Sequence, residues 1–282
     1  MTPPKLQQIY QDAPYLSIKY DTYFPVYEAL LAKYRGQSIT LVEVGIFNGG
    51  SLFMWREFLG PEARIIGVDL NPDAKEWEKH GFEIYIGDQG NEQFWKDFFR
   101  KTGPVDVVID DGGHTNLQQV VTTHHAIPQI RDGGLLIVED VHTNYFREFG
   151  NPYKYSFLNF AFRIVDGINS RAFALRSSYT RYSSKVYSIS FFESIVAFHI
   201  DSRLCVRSKP TANGGRTRDA SDFRYQNVVQ SALSSFKTRL PTDRRGVMAV
   251  ICRGLRFLAD TALFVLSRME TVKYKRFFSK SD

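Results

Sequence analysis

The chain has 282 residues, 43% of them hydrophobic and 23% charged, and this composition excludes disordered, collagen-like and coiled-coil proteins. Its two cysteines, Cys205 and Cys252, exclude a disulfide-stapled scaffold and favour a reducing compartment. The net charge of +6 is unevenly spread, because residues 201–282 hold 17 Lys and Arg against 7 Asp and Glu, whereas residues 1–200 hold 19 against 23. An acidic body therefore precedes a strongly basic C-terminal segment.

Strands and helices alternate along the acidic body. Continuous apolar runs predict strands at 38–44, 64–70, 82–86, 105–110 and 134–139, and a strand pair at 185–199. Helices are predicted at 16–35, 51–59, 73–80, 91–100, 117–130 and 157–169. Buried strands separated by helices indicate an α/β fold, in which a mostly parallel sheet carries helices on both faces. Ligands of such sheets bind beyond the carboxyl ends of the strands.

The C-terminal quarter has a different organisation. Residues 209–218 have linker composition, so we expect residues 1–205 to form the α/β domain with its helical lead-in. Residues 206–282 are then a basic, mainly helical extension. The first residues show no secretory signal, and no apolar run reaches the roughly 18 residues that a spanning helix needs, so the sequence predicts a cytoplasmic location.

Polar residues at the ends of the first three strands predict a nucleoside site. The first strand runs into the turn Glu43-Val44-Gly45, where Phe47 stands in the place of the middle glycine of a dinucleotide-binding turn. The second strand ends in Asp69, placed to accept ribose hydroxyls. Each feature alone also suits an ordinary turn or helix cap, but together they favour S-adenosylmethionine. The predicted cofactor residues are Glu43, Gly45, Asn48, Gly49, Ser51, Asp69, Asp88, Gln89 and Asp110.

The fourth and fifth strands end in carboxylates and histidines. The two motifs are DDGGH at 110–114 and EDVHT at 139–143, with no Lys or Arg close by to neutralise them. Carboxylates this close repel one another unless a cation lies between them, and hard oxygen donors select Mg²⁺, or Mn²⁺, over zinc. Because imidazole side chains can take up a proton near neutral pH, His114 is predicted to be a general base. The alternative is that these residues cap helices and cover turns; His124 and His125 are expected to be structural or surface residues.

The motifs resemble a known family. LVEVGIFNGGSLFMW, IIGVDLNP, GDQ, VIDDGGH and GGLLIVEDVHTNYFREFG are similar to those of the metal-dependent sugar O-methyltransferases typified by the mycinamicin macrolide-sugar enzymes. The cephalosporin-hydroxylase-like family shares them. The resemblance covers residues 17–200 and implies a Rossmann-like class I methyltransferase fold and methyl transfer from S-adenosylmethionine to a sugar hydroxyl of a glycan or glycoside. It also implies self-association.

The resemblance also implies roles for individual residues. Asp111, Glu139 and Asp140 would bind Mg²⁺, and His114 would be the base. Because neighbouring strand residues point to opposite faces, Glu139 and Asp140 can share an ion only if the strand breaks between them. The acceptor pocket is predicted to be lined by His142, Thr143 and Tyr145. Asp21 stands where many relatives carry a histidine, so substrate contacts from the lead-in are not carried over.

Parts of the sequence also suit two other functions. The charge of the basic extension suggests a nucleic-acid-binding or modifying protein, but the acidic body opposes it. A non-haem iron hydroxylase would need two histidines and one carboxylate, which His114, His142 and Asp111 could formally supply. The additional carboxylates and the nucleoside-binding turn argue against that site.

The basic extension contains a long amphipathic stretch at 245–278. Its polar residues Arg253, Arg256, Asp260, Ser267 and Glu270 recur at roughly helical spacing, and the remainder is broadly apolar. Such a helix either packs on the body or on a second subunit, or lies on an anionic membrane surface. The second alternative suits an enzyme of polysaccharide biosynthesis whose acceptor is a lipid-linked glycan, and predicts peripheral association with the inner membrane face.

Overall fold

The computed structural model describes residues 5–149, 154–172, 181–216, 227–241 and 246–278. The chain divides into two compact units, Met1–Thr211 and Ala212–Asp282.

A seven-stranded sheet forms the centre of the first unit, in the order β3-β2-β1-β4-β5-β7-β6. The strands are β1 (Thr40–Val44), β2 (Arg64–Asp69), β3 (Glu83–Ile86), β4 (Val105–Asp110), β5 (Ile130–Val138), β6 (Val186–Phe192) and β7 (Ile195–Ile200). The first five strands pair in parallel, whereas β7 runs antiparallel to both β5 and β6. The carboxyl ends of β1 to β5 therefore meet at one edge of the sheet.

Helices cover both faces of this sheet. They are α1 (Leu6–Gln11), α2 (Tyr23–Leu31), α3 (Gly50–Leu59), α4 (Glu92–Thr102), α5 (Asn116–Ala126) and α6 (Phe157–Asn169). Successive strand residues alternate between two cores: Leu41 packs with Tyr27 and Trp55 on one face, and Val42 packs with Trp95 on the other. Strands buried on both faces explain the continuous apolar runs. The predicted Rossmann-like α/β fold is confirmed.

The predicted lead-in helix at 16–35 is wrong in its first part. Helix α2 begins at Tyr23, and residues 16–20 have no regular secondary structure. Pro25 lies in the first turn of α2, where its missing N–H does no harm, but a helix continuing from residue 16 would clash with its ring. The carbonyls of Leu16 and Ser17 are instead bound by the Gly50 amide and the Tyr10 hydroxyl.

Two other elements differ from prediction near the site. Residues Pro72–His80 form a 3₁₀-helix where an α-helix was expected. Strand β5 ends at Val138, so Glu139 lies just outside it, and another 3₁₀-helix, Val141–Tyr145, follows directly. The remaining strands and helices begin and end within a few residues of their predicted bounds.

The described residues of the second unit form two helices, α7 (Val228–Arg239) and α8 (Val247–Tyr274), and a 3₁₀ turn at Lys275–Phe278. Helix α8 packs on α7, and its Cys252 and Ala259 are buried. Among the residues described, no helix combines the length and apolar character needed to cross a membrane.

Candidate active site

The turn after β1 approaches the loop after β4 very closely. Gly45 has a φ of +80°, and a Cβ added there would lie 2.2 Å from the carbonyl oxygen of Asp111. Only glycine fits this position, both in conformation and in space. Phe47, two residues later, has a φ of +44° although it is not glycine, and its side chain is 61% exposed. The turn therefore brings strands β1 and β4 together at the edge where ligands bind.

A cavity of about 600 Å³ opens at this edge. Its walls come from the ends of β1 to β4 and from the loop that precedes α2. Nine of the predicted site residues line it: Gly45, Asn48, Ser51, Asp69, Asp88, Gln89, Asp111, His114 and Asp140. Glu43, Gly49, Asp110, Glu139 and the three predicted acceptor residues are not among its lining residues. Some of the predicted site residues therefore form the cavity wall, and the others lie outside it.

Glu43 belongs to the layer behind the wall. It is fully buried, and its carboxylate accepts hydrogen bonds from the Ser51 hydroxyl at 2.7 Å and from Trp55 Nε1 at 3.0 Å. Burial raises the pKa of Glu43, and nearby Lys19 partly opposes this. The expectation that Glu43 contacts the cofactor directly does not match this geometry, because its side chain instead anchors α3 beneath the turn.

Asp69 and Asp88 present carboxylates at the cavity wall. Asp69 accepts the amides of Ile46 at 3.0 Å and Asn71 at 2.8 Å, which fixes its side chain at the end of β2. Asp88 accepts the Gly90 amide at 2.7 Å and is otherwise exposed. Carboxylate oxygens hold two lone pairs each, so both residues retain acceptor capacity toward the cavity.

The side chains of Gln89 and Asp110 are engaged with each other. The Gln89 amide donates to Asp110 Oδ1 at 2.8 Å and accepts the Gly113 amide at 2.8 Å. Burial raises the pKa of Asp110 to about 6. Both residues were predicted to bind the cofactor. Their hydrogen bonds hold the DDGGH loop next to the end of β3, and Gln89 also lines the cavity.

The strand break required between Glu139 and Asp140 is present. β5 ends at Val138, and Asp140, two residues later, adopts a left-handed conformation with a φ of +54°. His114, at φ +57°, places Nε2 3.5 Å from Asp140 Oδ2 and 4.0 Å from Asp111 Oδ1. Ligand atoms of Asp111, His114 and Asp140 all lie within 4.8 Å of one another. Left-handed backbone at two non-glycine residues marks a strained segment, as functional sites often do.

The expectation that no cation neutralises the carboxylates is wrong. Lys19 extends into the cluster with its side chain only 1% exposed, and its ammonium donates to Asp111 Oδ2 at 2.6 Å and to Glu139 Oε2 at 3.0 Å. Glu43 Oε1 lies 3.7 Å from the same nitrogen. Lys19 was missed because it lies 92 and 120 residues from its two partners in sequence.

Burial and charge act in opposition within this cluster. Burial alone would lower the pKa of Lys19, but the attraction of Asp111 and Glu139 outweighs it, and the pKa lies well above its ordinary value. Burial, together with repulsion from Asp111, raises the pKa of Glu139 to about 8, although Lys19 pulls it down. The oxygen Glu139 Oε1 is buried and makes no well-formed hydrogen bond among the described residues, although the Tyr27 hydroxyl interacts with this carboxylate. The carboxylates therefore still lack part of the positive charge that would keep them all ionised.

The lead-in also supplies a tyrosine to the site. The Tyr23 hydroxyl donates to Asp140 Oδ1, and burial together with this bond strongly raises the pKa of Tyr23. The sequence of the predicted lead-in helix gave no sign of this contact. Lys19, shortly before α2, binds Asp111 and Glu139, and Tyr23, in α2, binds Asp140. This part of the chain therefore contacts all three predicted metal carboxylates.

The predicted acceptor residues occupy three different environments. Thr143 is buried, and its hydroxyl lies 2.7 Å from the Asp140 carbonyl and 3.0 Å from the His114 carbonyl, so it holds the two strained residues in place. His142 bonds the Ser194 hydroxyl through Nδ1, and its ring contacts Tyr20. Tyr145 is 62% exposed. His142 is not part of the ligand group formed by Asp111, His114 and Asp140, so the iron triad is not assembled.

His124 and His125 lie elsewhere in the domain. His124 bonds the Tyr182 hydroxyl at 2.5 Å through Nδ1 and contacts Arg181 at 2.6 Å through Nε2. His125 Nε2 lies 3.6 Å from Glu92. Neither residue lines the cavity at the strand ends.

The sheet, its helices and the cavity at the carboxyl ends of the parallel strands define a Rossmann-like α/β domain, and ligands of such domains bind at this edge. Residues 42–141 match a family described as a methyltransferase domain. This match confirms the resemblance inferred from the motifs, and so do the relatives described next.

The relatives include sugar O-methyltransferases. The chain is 30% identical over 166 residues to 8-demethyl-8-alpha-L-rhamnosyl tetracenomycin-C 2'-O-methyltransferase of Streptomyces olivaceus, covering 55% of this chain and 43% of the relative. It is 34% identical over 133 residues to mycinamicin VI 2''-O-methyltransferase of Micromonospora griseorubida, covering 45% and 33%. The chain thus spans less than half the length of these two relatives.

A solved structure has the same fold. The MycE methyltransferase from the mycinamycin biosynthetic pathway, in complex with Mg, SAH and mycinamycin VI, superposes with a TM-score of 0.65 at 23% identity. The superposition covers 82% of this chain and 60% of that one.

Proposed function

We propose that this chain transfers a methyl group from S-adenosylmethionine to a sugar hydroxyl of a glycan or glycoside. One observation carries the proposal: the cavity at the strand ends shares a wall with the group Asp111, His114 and Asp140. A methyl donor in the cavity would lie beside groups able to bind an acceptor hydroxyl and take its proton. The methyltransferase-domain match and the sugar O-methyltransferases among the relatives support this assignment.

The donor set fits a hard divalent cation. Carboxylates supply oxygen atoms of the kind that Mg²⁺ or Mn²⁺ prefers, and Glu139 Oε1 is a buried oxygen that makes no well-formed hydrogen bond among the described residues. We assign Asp111, Glu139 and Asp140 as the residues that would hold Mg²⁺. When bound, the ion would lower the pKa of an acceptor hydroxyl.

The cavity wall accounts for the methyl donor. Asp69 would accept the ribose hydroxyls at the end of β2, and Asp88 lies where an adenine amine would bind. Gly45, Asn48, Gly49 and Ser51 form the turn along which the amino-acid part would lie. Glu43 supports this turn through Ser51 and Trp55.

His114 is assigned as the general base. Its Nε2 accepts the proton of the sugar hydroxyl, the resulting oxygen attacks the methyl carbon, and the carbon–sulfur bond breaks. The products are the methyl ether, S-adenosylhomocysteine and a protonated His114. Holding the two reactants in line supplies much of the rate acceleration. Asp140 lies 3.5 Å from Nε2 and stabilises the imidazolium. His142 and Tyr145 are proposed to contact the acceptor.

The proposal is tested by methyl transfer to a panel of glycosides and lipid-linked glycans, followed by mass spectrometry. We expect the acceptor to gain the mass of one methylene unit. Treatment of the enzyme with EDTA should abolish this gain, and addition of Mg²⁺ should restore it. Full activity of the chelated enzyme would contradict the metal assignment. If glycans from wild-type and deletion strains had identical masses, the assignment of a sugar acceptor would be wrong.

A further inference from the structure

Helix α8 uses its polar side to pack on α7. Arg256 donates to the Leu240 carbonyl at the end of α7, and Asp260 pairs with Lys237 on α7. The two residues of α8 that are buried, Cys252 and Ala259, lie on the same side. Two residues of the predicted polar stripe, Arg256 and Asp260, therefore contact α7.

The opposite side of α8 is apolar and exposed. Its members fall within about a third of the helix circumference at 100° per residue and extend along roughly 40 Å of helix. They are between 47% and 76% exposed: Val247, Val250, Ile251, Phe257, Leu258, Val265, Met269 and Val272. This set is called the apolar face below. Gly254, Thr261 and Arg268 are exposed on the same side and interrupt this set. An exposed and largely apolar surface of this length marks an interaction site.

Positive charge accompanies the apolar face. Arg268, Lys273 and Lys275 are exposed toward the C-terminal end of α8, and residues 201–282 carry a net charge of +10. The two acidic residues of α8 are each paired with a lysine, Asp260 with Lys237 and Glu270 with Lys273. A second copy of the chain would bring the same positive charge to the contact, whereas an anionic lipid surface would bring the opposite charge.

We propose that α8 docks on an anionic lipid surface, with its axis along the membrane plane and its apolar face inserted among the lipid headgroups and upper acyl chains. Helices of this type lie in the interface and do not span the bilayer. The described helices, none of which is suited to spanning, are consistent with this orientation. The inference goes beyond methyl transfer and does not depend on it, because it rests on the second unit alone.

The test is co-sedimentation of the full chain with vesicles. Vesicles that mix phosphatidylglycerol with phosphatidylcholine should bind the protein, vesicles of phosphatidylcholine alone should bind it far more weakly, and salt should release it. Leu258→Glu and Val265→Glu should each weaken binding at least about tenfold. The matched control is Ser267→Glu, which adds the same charge on the polar side and should cost much less.

The charge contribution is measured separately. Arg268→Gln and Lys273→Gln should each weaken binding to anionic vesicles by about fivefold, the effect of roughly 1 kcal/mol per cation. Circular dichroism of every variant checks that the helices are retained. Equal binding by Leu258→Glu and the wild type would overturn the proposal. So would a protein that ignores vesicles but changes from dimer to monomer in light scattering when Leu258 is replaced, since a second copy would then cover the face.

Discussion

The two units of the chain differ in how far they expose a charged cluster and an apolar surface. The first unit buries an ammonium, Lys19, among carboxylates with 1% of its side chain exposed. The second pairs Lys237 with Asp260 at the surface, with 40% and 53% exposed, and leaves its apolar face uncovered. Buried charges are costly to desolvate, and strongly perturbed charged groups in a cleft mark functional sites. An exposed apolar face marks a surface that a partner covers. The difference separates a site for chemistry from a surface for attachment.

Removing Lys19 should have the largest effect. Lys19→Met leaves the buried Glu139 and the partly buried Asp111 without their common partner, and we expect a loss of about 3–5 kcal/mol in the free energy of unfolding. Excess Mg²⁺ should restore part of this loss, because a cation bound to the folded state stabilises it. Urea unfolding with and without Mg²⁺ measures both effects.

The second unit offers the matched control for that variant. Lys237→Met breaks an exposed ion pair and should cost about 0–1 kcal/mol, without any response to Mg²⁺. If the two variants were equally stable, the contrast between buried and exposed charge would be wrong. If Lys19→Met were destabilised but unaffected by Mg²⁺, the carboxylates would not bind the ion.

Replacing His114 should stop turnover while leaving binding intact. We expect His114→Ala to lose about a hundredfold or more in kcat, the usual contribution of a general base, with unchanged affinity for S-adenosylhomocysteine and for Mn²⁺. Calorimetry and electron paramagnetic resonance measure the two affinities. His125→Ala, which removes a histidine outside the cavity, is the control and should keep full turnover.

The His114 result also decides between two roles. The geometry groups His114 with Asp111 and Asp140, so the residue could also serve as a ligand. Loss of Mn²⁺ affinity in His114→Ala would make it a ligand and would contradict its assignment as the base.

Replacing Asp69 should have a smaller effect, confined to the binding of the methyl donor. Asp69→Ala should weaken binding of S-adenosylhomocysteine by about 1–3 kcal/mol, the typical cost of leaving polar groups without a partner. The control is Asp73→Ala, which removes an exposed carboxylate four residues further along the chain and should leave the affinity unchanged. Equal affinities in the two variants would move the ribose site away from the end of β2.

The sequence contained the strand-end residues of the site but not the contacts that hold them. Asp69, Asp111 and His114 follow continuous apolar runs, so their meeting at one edge follows from the parallel sheet. The contacts of Lys19 depend on where residues 16–20 lie, and no local periodicity records this. The left-handed conformation of Asp140 is likewise imposed by its surroundings, since Tyr23 and Thr143 hold it in place.

The smallest expected effect is a change of stability with pH, and it is confined to the first unit. All six histidines lie in the first unit. Burial, reinforced by Lys33, lowers the pKa of His199 below its ordinary value of 6.5, and Nε2 of its ring bonds the Ser190 hydroxyl at 3.1 Å. A histidine whose folded pKa is lowered binds its proton more readily in the unfolded chain, so its contribution to stability is lost as the pH falls below about 6.5.

The change is best measured as a difference between variants, because the raised pKa values of Asp110 and Glu139 act in the opposite direction. We expect the wild type to lose stability relative to His199→Gln as the pH falls from about 8 to about 5. The urea midpoint of the first unit follows this change. His80→Gln, an exposed histidine, serves as the control and should track the wild type at every pH. If the wild type and His199→Gln kept a constant difference across this range, the ring of His199 would not be held neutral by its burial in the sheet.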